Sequence, residues 1–493
     1  MTGEAWGAAA RRGVVWSTLT FLAGKGSTFL ATLVLARLLV PADFGVVAAL
    51  VVFLSIVDLV SDLGMKATVV FEQETGLTDR VQTAFTVNLL LAVVLTILGV
   101  LLAPLVAAFF GLQEYTDLFR LGALNLLVRG LANIQDALLL RELAFRSRAV
   151  PEVTRAVMRG VVSIGLAFAG LEAAALVYGM LAGNFAWLVV LWARSRFRPT
   201  FALDLGIARS MFSYGSGAVL LQVLSVIGSR FDAIAIARVL GPGPLGVYTV
   251  AFRVPELLID SVAWNLSSVS FPALARKRAQ ERAGLSGATL ALIRYQALFG
   301  ATMAAGLAIL ATPLVLVLFG ANWREAGPVM SALAVMSGIH AFVFPMGDAL
   351  KAVGRQRLIA SLQIVEMPTL VVAVILLAPS GIVWVAWSRT GILVLHAVLL
   401  AVLGARVLGI SPRELLRAIQ PALAATAGVV LGAGTVRILW ESESWPLVLA
   451  GTAAGAIGAV AAMRLLAPQT LRQVIGQLAA LRPAKVGPEP STR

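Results

Sequence analysis

The chain contains a long series of apolar stretches, and these limit its fold more than any other feature. A helix that crosses the hydrocarbon core of a bilayer needs about 20 apolar residues, and fourteen stretches of roughly that length lie between proline, glycine and charged clusters. Their approximate extents are 14 to 37, 44 to 63, 84 to 109, 118 to 139, 152 to 170, 173 to 193, 211 to 236, 246 to 271, 288 to 318, 327 to 349, 358 to 378, 381 to 403, 415 to 437 and 446 to 466. With 59% hydrophobic and 13% charged residues, a soluble fold is excluded. We therefore expect an all-α polytopic membrane protein with about 14 transmembrane helices.

The positions of the basic residues predict the orientation of these helices. The formal net charge of +14 would indicate a nucleic-acid partner in a soluble protein. Here, 26 of the 39 lysines and arginines fall in one alternating set of loops and tails, and five lie at the opposite side. Because cytoplasmic loops retain positive charge, both termini are expected in the cytoplasm. The charge thus predicts topology, and no nucleic-acid partner is expected.

Several kinds of chemistry have no support in the sequence. The chain has no cysteine and two histidines, so no disulfide, thiolate metal site or cofactor is predicted. Gly241–Gly246 fits the spacing of a dinucleotide-binding loop, but it lies between two apolar stretches without a preceding strand. It is interpreted as a tight turn. No large loop or D-x-D metal motif is present, so an enzyme is not expected.

An internal repeat divides the chain into halves. Ala36–Gly45 recurs 201 residues later as Ala237–Gly246, and a second echo links Pro104–Gly111 with Pro313–Gly320 at an offset of 209 residues. About six spans separate the copies, which predicts two lobes of parallel orientation. The expected domains are an N-terminal six-helix lobe (1–205), a C-terminal six-helix lobe (206–405), two additional transmembrane helices (406–466) and a cytoplasmic tail (467–493).

Charged residues inside the apolar stretches are the candidate site residues. A charge at the bilayer centre costs about 2.5 to 3.5 kcal/mol on insertion scales, so these side chains should face protein or water. Guanidinium and ammonium groups suit an anionic substrate. The substrate-binding candidates are Lys25, Arg129, Arg159, Arg253 and Arg389. The candidates for binding a coupling proton or sodium ion are Asp58, Asp260 and Glu366.

Each of these charges also has a purely structural interpretation. Arg253 could neutralise Glu256 three residues further on, and Arg230 could pair with Asp232. His340 and His396 are expected to be hydrogen-bonded core histidines rather than proton relays.

A set of short segments resembles a known family in order and spacing. They are Leu35–Gly45, Ser61–Gly64, Asp232, Ala237–Pro242, Gly246–Tyr248, Phe271–Leu274 and Leu318–Trp323. The chain from about residue 13 to beyond residue 400 resembles the Wzx-type oligosaccharide flippases of the multidrug/oligosaccharidyl-lipid/polysaccharide exporter superfamily.

The resemblance implies two six-helix lobes around a cationic cavity in the bacterial cytoplasmic (inner) membrane. Such proteins move an undecaprenyl-pyrophosphate-linked oligosaccharide to the outer leaflet by alternating access, for exopolysaccharide, O-antigen (lipopolysaccharide) or other surface polysaccharides. The implied partners are this lipid-linked oligosaccharide, membrane lipid, and a polysaccharide polymerase or assembly protein. The alternatives are a cation-coupled multidrug exporter, a membrane polymerase or glycosyltransferase, and a scaffold of an assembly complex.

Overall fold

The protein is a polytopic all-α membrane protein. The computed structural model describes residues 23–62, 77–141, 145–195, 197–208, 230–280, 283–440 and 442–480, and these contain helices but no strand. The helices are α1 (23–38), α2 (Pro41–Asp62), α3 (Leu77–Phe109), α4 (Thr116–Arg141), α5 (Phe145–Phe168), α6 (Glu172–Arg194), α7 (230–240), α8 (Pro242–Pro255), α9 (Ser261–Gln280), α10 (Ala283–Ile309), α11 (Ala311–Leu318), α12 (Ala326–Ala352), α13 (Gln356–Leu377), α14 (Ile382–Leu408), α15 (Pro412–Leu439), α16 (Trp445–Leu466) and α17 (Pro468–Ala480). One π-helical turn, Glu256–Asp260, joins α8 to α9.

Eleven stretches of the described chain are long and apolar enough to cross a membrane. α5 is not among them, and it carries Glu152, Arg155 and Arg159 along its length. Residues 14–22 of the predicted first span, and most of the predicted seventh span, lie outside the described residues. The ninth predicted span is broken at Leu310 into α10 and α11, and the eighth extends over Pro242–Arg278. The total of fourteen helices stays a prediction.

The chain forms two compact units. The first unit comprises the described residues up to Val254 with Leu318–Val329 and Val365–Arg389. The second comprises Pro255–Val317, Met330–Ile364 and the described residues from Thr390 onward. Each unit thus combines segments that are distant in sequence. The predicted lobes at 1–205 and 206–405, with the additional helices and the tail, stay a prediction.

In the first unit, glycines bring two long helices into close contact. A Cβ atom at Gly179 of α6 would lie 1.9 Å from the Ser163 hydroxyl, and one at Gly183 would lie 2.8 Å from the Arg155 carbonyl oxygen. Small residues let helix backbones approach closely in membrane proteins. This packing of α5 on α6 sets the position of the arginines that α5 carries.

The repeat-related turns meet each other within the first unit. Both α2 and α8 begin with proline at the first helical position, where its missing N–H costs nothing. A Cβ at Gly45 would lie 1.7 Å from the carbonyl oxygen of Pro242, and one at Gly246 would lie 1.8 Å from that of Pro41. Each copy of the repeat therefore contributes a glycine that accommodates the backbone of the other copy. Gly241 itself has a φ of +87° and ends α7, which confirms the tight turn.

Gly45→Ala is expected to destabilise the protein by about 2 kcal/mol, because a methyl group at this position must push two helix backbones apart. The measurement is the melting temperature of the purified protein in detergent. Gly243→Ala is the matched control, since a Cβ there meets nothing within 4 Å. Equal melting temperatures for the two variants would contradict the close approach.

In the second unit, the last two long helices form an antiparallel pair with direct backbone contact. A Cβ at Gly428 of α15 would lie 2.1 Å from the carbonyl oxygen of Gly458, and one at Gly432 would lie 2.2 Å from that of Ala454. Val429 and Ala433 of α15 pack with Ala459 and Met463 of α16 in a buried cluster. The helix α17 follows α16 directly, so the segment after residue 467 begins as a helix.

Candidate functional site

The first unit contains all five cations predicted to bind substrate. Two of the three carboxylates predicted to bind a coupling ion, Asp58 and Glu366, belong to the same unit, whereas Asp260 belongs to the second. Lys25 lies half-buried on α1, and Glu366 lies half-buried on α13. The candidates from distant parts of the sequence therefore share one compact unit, although each has its own surroundings.

Three arginines of like charge interact within this unit. Arg155 and Arg159 lie one turn apart on α5, and Arg253 lies near the end of α8. The positive charges of Arg253 and Arg155 both act on Arg159. We call Arg155, Arg159 and Arg253 the arginine cluster. Like charges in a partly buried site repel each other, so an anion near Arg159 would be favoured.

One member of the arginine cluster is held by its own helix and by an aromatic ring. The Nη2 atom of Arg155 lies 2.6 Å from Oε2 of Glu152, three residues earlier. Its guanidinium carbon lies 5.3 Å from the centre of the Trp187 indole of α6, a cation-π contact. These contacts orient Arg155 and neutralise one charge. Among the described residues, the charged groups that act on Arg159 are the two neighbouring arginines.

Arg129 and Asp58, predicted for different roles, are partners of each other. Arg129 Nη2 lies 2.8 Å from Asp58 Oδ2, which joins α4 to α2. The Arg129 side chain is 39% exposed, and its buried Nε atom has no hydrogen-bond partner among the described residues. The Asp58 side chain is 22% exposed, so both members of the pair are partly accessible.

Arg389 also has a carboxylate partner, and this pair is more buried than the pair of Arg129 and Asp58. It contacts Asp232 of α7, whose side chain is only 3% exposed, and the Tyr248 hydroxyl donates a hydrogen bond of 2.6 Å to the same carboxylate. The suggested pairing of Asp232 with Arg230 is therefore wrong: Asp232 takes its cation from α14, because the fold brings this distant helix to α7. The Arg230 side chain is exposed.

In the second unit, Asp260 lies in the π-helical turn between α8 and α9. The Ser337 hydroxyl donates a hydrogen bond of 2.6 Å to its Oδ2 atom, and His340 Nδ1 lies 3.0 Å from Oδ1. His340 is therefore a hydrogen-bonded interior histidine, as expected. π-helical turns are frequent at functional sites, and this one presents a carboxylate to two polar groups of α12.

One buried carboxylate was missed by the sequence analysis. Asp348 of α12 has a side chain that is 2% exposed, accepts a 2.5 Å hydrogen bond from Ser267 and lies 3.5 Å from Lys351. The signal in the sequence is an aspartate inside an apolar stretch, three residues before a lysine.

The described residues contain no group of three or more histidine, aspartate or glutamate side chains arranged to hold a metal ion. What they do contain is a set of interior cations, of which Arg129, Arg155 and Arg389 have carboxylate partners and Arg159 has cationic neighbours. This arrangement can bind an anionic group by charge and by forked hydrogen bonds.

Solved structures with this fold include two transporters. The lipid II flippase MurJ in an inward closed conformation aligns with 94% of this chain and 100% of its own, at a TM-score of 0.75 and 13% identity. An inward-facing multidrug resistance MATE family transporter of the MOP superfamily aligns with 80% and 98%, at a TM-score of 0.64 and 15% identity. At these identities the likeness shows a shared fold.

Several relatives in sequence match this chain over about 70% of its length. The succinoglycan biosynthesis transport protein ExoT of Rhizobium meliloti is 27% identical over 344 residues, which are 70% of this chain and 69% of ExoT. The lipopolysaccharide biosynthesis protein WzxC of Escherichia coli is 23% identical over 70% of each chain. The probable low-salt glycan biosynthesis flippase Agl15 of Haloferax volcanii is 24% identical over 74% of this chain and 76% of its own.

A family profile described as polysaccharide biosynthesis protein matches residues 34–328. It includes the first repeat segment, its second copy and the Leu318–Trp323 segment, which carried the resemblance in the sequence. The expected resemblance is thereby confirmed. Because the match covers more than half of the 493 residues, the chain belongs to the polysaccharide biosynthesis protein family.

Proposed function

We propose that the protein is a flippase that moves a polyprenyl-pyrophosphate-linked oligosaccharide across the cytoplasmic membrane by alternating access. The product would serve exopolysaccharide, O-antigen or other cell-surface polysaccharide synthesis. The observation that carries the proposal is Arg159, an interior arginine that is repelled by the charges of Arg253 and Arg155, because a charge inside a membrane protein needs a countercharge to become favourable. Family membership and the names of the relatives, which include a transport protein and a flippase, support the same function.

The pyrophosphate is the group that the cations would bind. Its oxygens accept forked hydrogen bonds from guanidinium groups, which bind phosphate more specifically than ammonium groups do. Arg159 and Arg253 would supply such donors from the arginine cluster, and Lys25 would add a further positive charge. Arg129 and Arg389 would exchange a carboxylate partner for a phosphate oxygen. The sugars would cross in the hydrated space and the polyprenyl chain in lipid.

The three carboxylates would link transport to an ion. Asp58 is released when Arg129 turns to the substrate, so it can then take up a proton or a sodium ion. Asp260, which interacts with Ser337 and His340, can hold a proton with histidine as the second titratable group. Glu366 is the third candidate. Carboxylates at membrane depth are costly and typically serve such ion pathways.

Asp260→Asn is expected to slow transport about tenfold and to remove its dependence on the coupling ion, because an amide does not take up a proton or balance a cation. The measurement is the transport rate in proteoliposomes across a series of proton and sodium gradients. Asp348→Asn is the matched control, since Asp348 is a second carboxylate bonded to a serine in the same unit. An unchanged ion dependence in Asp260→Asn, or the same loss in both variants, would contradict the assignment.

The topology belongs to the same proposal. Both termini would be cytoplasmic, the membrane would be the bacterial inner membrane, and fourteen helices would form two six-helix lobes with two additional helices. Because the chain has no native cysteine, this topology can be tested with single introduced cysteines. Single cysteines in the loops can be labelled from one side of sealed cells with a membrane-impermeant maleimide.

The experiment that tests the function follows the lipid-linked oligosaccharide itself. Cells that lack the protein should accumulate this intermediate on the cytoplasmic leaflet, and the purified protein in liposomes should expose it to a soluble glycosidase on the opposite side. If the protein were a multidrug exporter, cells that lack it would instead accumulate more drug. If the protein were a polymerase, cells that lack it would instead accumulate the intermediate in the outer leaflet with an unextended glycan. Either of those results would overturn the proposal, and the glycan of the accumulated intermediate would identify the substrate.

A further inference from the structure

The segment that follows the last long apolar helix is an amphipathic helix at the edge of the membrane. The helix α16 ends at Leu466, and α17 begins at Pro468 after the single non-helical residue Ala467. Because α16 is apolar enough to cross the bilayer, its end lies near the membrane surface. We therefore expect α17 to start near the lipid headgroups.

Apolar residues of α17 recur with helical spacing. Leu471, Val474 and Ile475 occupy positions i, i+3 and i+4, which lie on one face of a helix. Leu471 packs against the buried cluster of α15 and α16. Ile475 is 55% exposed, and it lies on the part of the stripe that the unit leaves uncovered. Gln473 lies nearly opposite to Ile475 and is also exposed.

The surroundings of α17 are strongly basic. The Gln420 side chain donates a 3.2 Å hydrogen bond to the carbonyl oxygen of Leu466, so the start of α15 and the end of α16 lie together. Four exposed arginines belong to this end of the second unit, namely Arg413, Arg417, Arg464 and Arg472. The acidic residue among the described residues here is Glu414, whose carboxylate accepts hydrogen bonds of 2.8 Å and 2.7 Å from Ser411.

An amphipathic helix with cations beside an exposed apolar face is suited to a charged lipid surface. Burial of a single apolar residue gives weak membrane binding, and a basic cluster supplies the second attraction when the leaflet is anionic. Leu465 and Leu466, which directly precede α17, are 82% and 58% exposed and continue the apolar surface toward the hydrocarbon. Exposed apolar residues directly beside arginines match a lipid surface, in which acyl chains lie directly beside anionic headgroups. A protein partner whose surface mixes polar and apolar groups would not require this arrangement.

We propose that α17 and the four arginines bind the anionic phospholipid headgroups of the leaflet at this end of the protein, with Ile475 inserted among the acyl chains. The second unit would then bind the surface of the bilayer in addition to spanning it. The proposal uses the second unit alone, and it holds whatever the protein transports. It assigns a ligand to the region after the two additional helices, for which the sequence predicted a tail.

The test uses spin labels, because the chain has no native cysteine. Full-length Ile475→Cys and Gln473→Cys variants are labelled with a nitroxide and reconstituted into vesicles of phosphatidylcholine, with or without phosphatidylglycerol. Electron paramagnetic resonance then compares accessibility to oxygen, which partitions into lipid, and to a water-soluble nickel complex. In the anionic vesicles we expect oxygen accessibility and protection from nickel at residue 475, and nickel accessibility at the matched position 473.

The arginines are tested in the same labelled protein. Arg464→Gln with Arg472→Gln should remove the protection of residue 475, as should omission of phosphatidylglycerol. Arg120→Gln is the control, since Arg120 is an exposed arginine of the first unit that is paired with Asp117. Three outcomes would overturn the proposal: equal exposure of residues 475 and 473, protection that is independent of anionic lipid, or protection in detergent with spin-spin broadening, which would indicate a second copy of the chain.

Discussion

Arg159→Gln is expected to reduce flipping of the lipid-linked oligosaccharide by about 10- to 100-fold while leaving the melting temperature unchanged or higher. A charge-assisted hydrogen bond to phosphate contributes about 1.5 to 3 kcal/mol, and about 1.4 kcal/mol corresponds to a tenfold change in binding. In the absence of substrate, Arg159 is repelled by Arg253 and Arg155. Its neutralisation should therefore relieve repulsion in the resting protein. The measurements are the flipping rate in proteoliposomes and thermal unfolding of the same preparation.

The combination of these two readouts separates a substrate contact from a structural residue. A structural arginine would lower both stability and transport when it is replaced, whereas a binding arginine lowers transport alone. Arg159→Lys should retain part of the activity, because lysine keeps the charge but loses the forked geometry. Arg120→Gln changes an exposed pair with Asp117 and should affect neither readout. Normal flipping by Arg159→Gln would remove the arginine cluster from the proposed site.

Asp232→Ala is expected to destabilise the protein by about 3 to 5 kcal/mol, because it leaves the partly buried charge of Arg389 without its carboxylate. The Tyr248 hydroxyl also loses the acceptor of its 2.6 Å hydrogen bond. The expected result is a large decrease in the yield of monodisperse protein and in its melting temperature. Tyr248→Phe removes only the hydrogen bond and should cost about 1 kcal/mol.

The double variant Asp232→Ala/Arg389→Ala decides the role of Arg389. Removal of both charges should restore much of the stability, since an uncompensated buried charge costs more than a neutral pair of small side chains. If Arg389 binds substrate, the stable double variant transports poorly. If it only balances Asp232, the double variant transports normally. A single Asp232→Ala variant with unchanged stability would show that the pair has no structural role.

The helical architecture was predictable because hydrophobic transfer is a property of composition along the chain. Each apolar stretch of about 20 residues is stable in a bilayer largely independently of its neighbours. The break at Leu310 was not visible in this way, because both α10 and α11 are apolar and the interruption is local backbone geometry. The repeated Gly45 and Gly246 were visible as echoes, but their mutual backbone contact was not.

The candidate site was predictable as a set of residues but not as a set of pairs. Arg129 and Asp58 stand out in sequence because each interrupts an apolar helix, and from sequence they were predicted to have different roles. Their 2.8 Å contact depends on the packing of α4 against α2. Asp232 was suggested to pair with Arg230 by proximity in sequence, and the fold instead supplies Arg389 from 157 residues away.

Membrane insertion and the interior charges thus follow from the chain alone, because each rests on the cost of moving a single segment or side chain out of water. The internal repeat also follows from the chain alone, because it is a similarity between two segments of the sequence. The partner of each charge was decided by tertiary structure. Pairing energy depends on distance and on local exposure, and these are set by helices that are far apart in sequence. Packing leaves Arg159 among cations and gives Arg389 a buried carboxylate, so two arginines of equal appearance in the sequence acquire different chemistry.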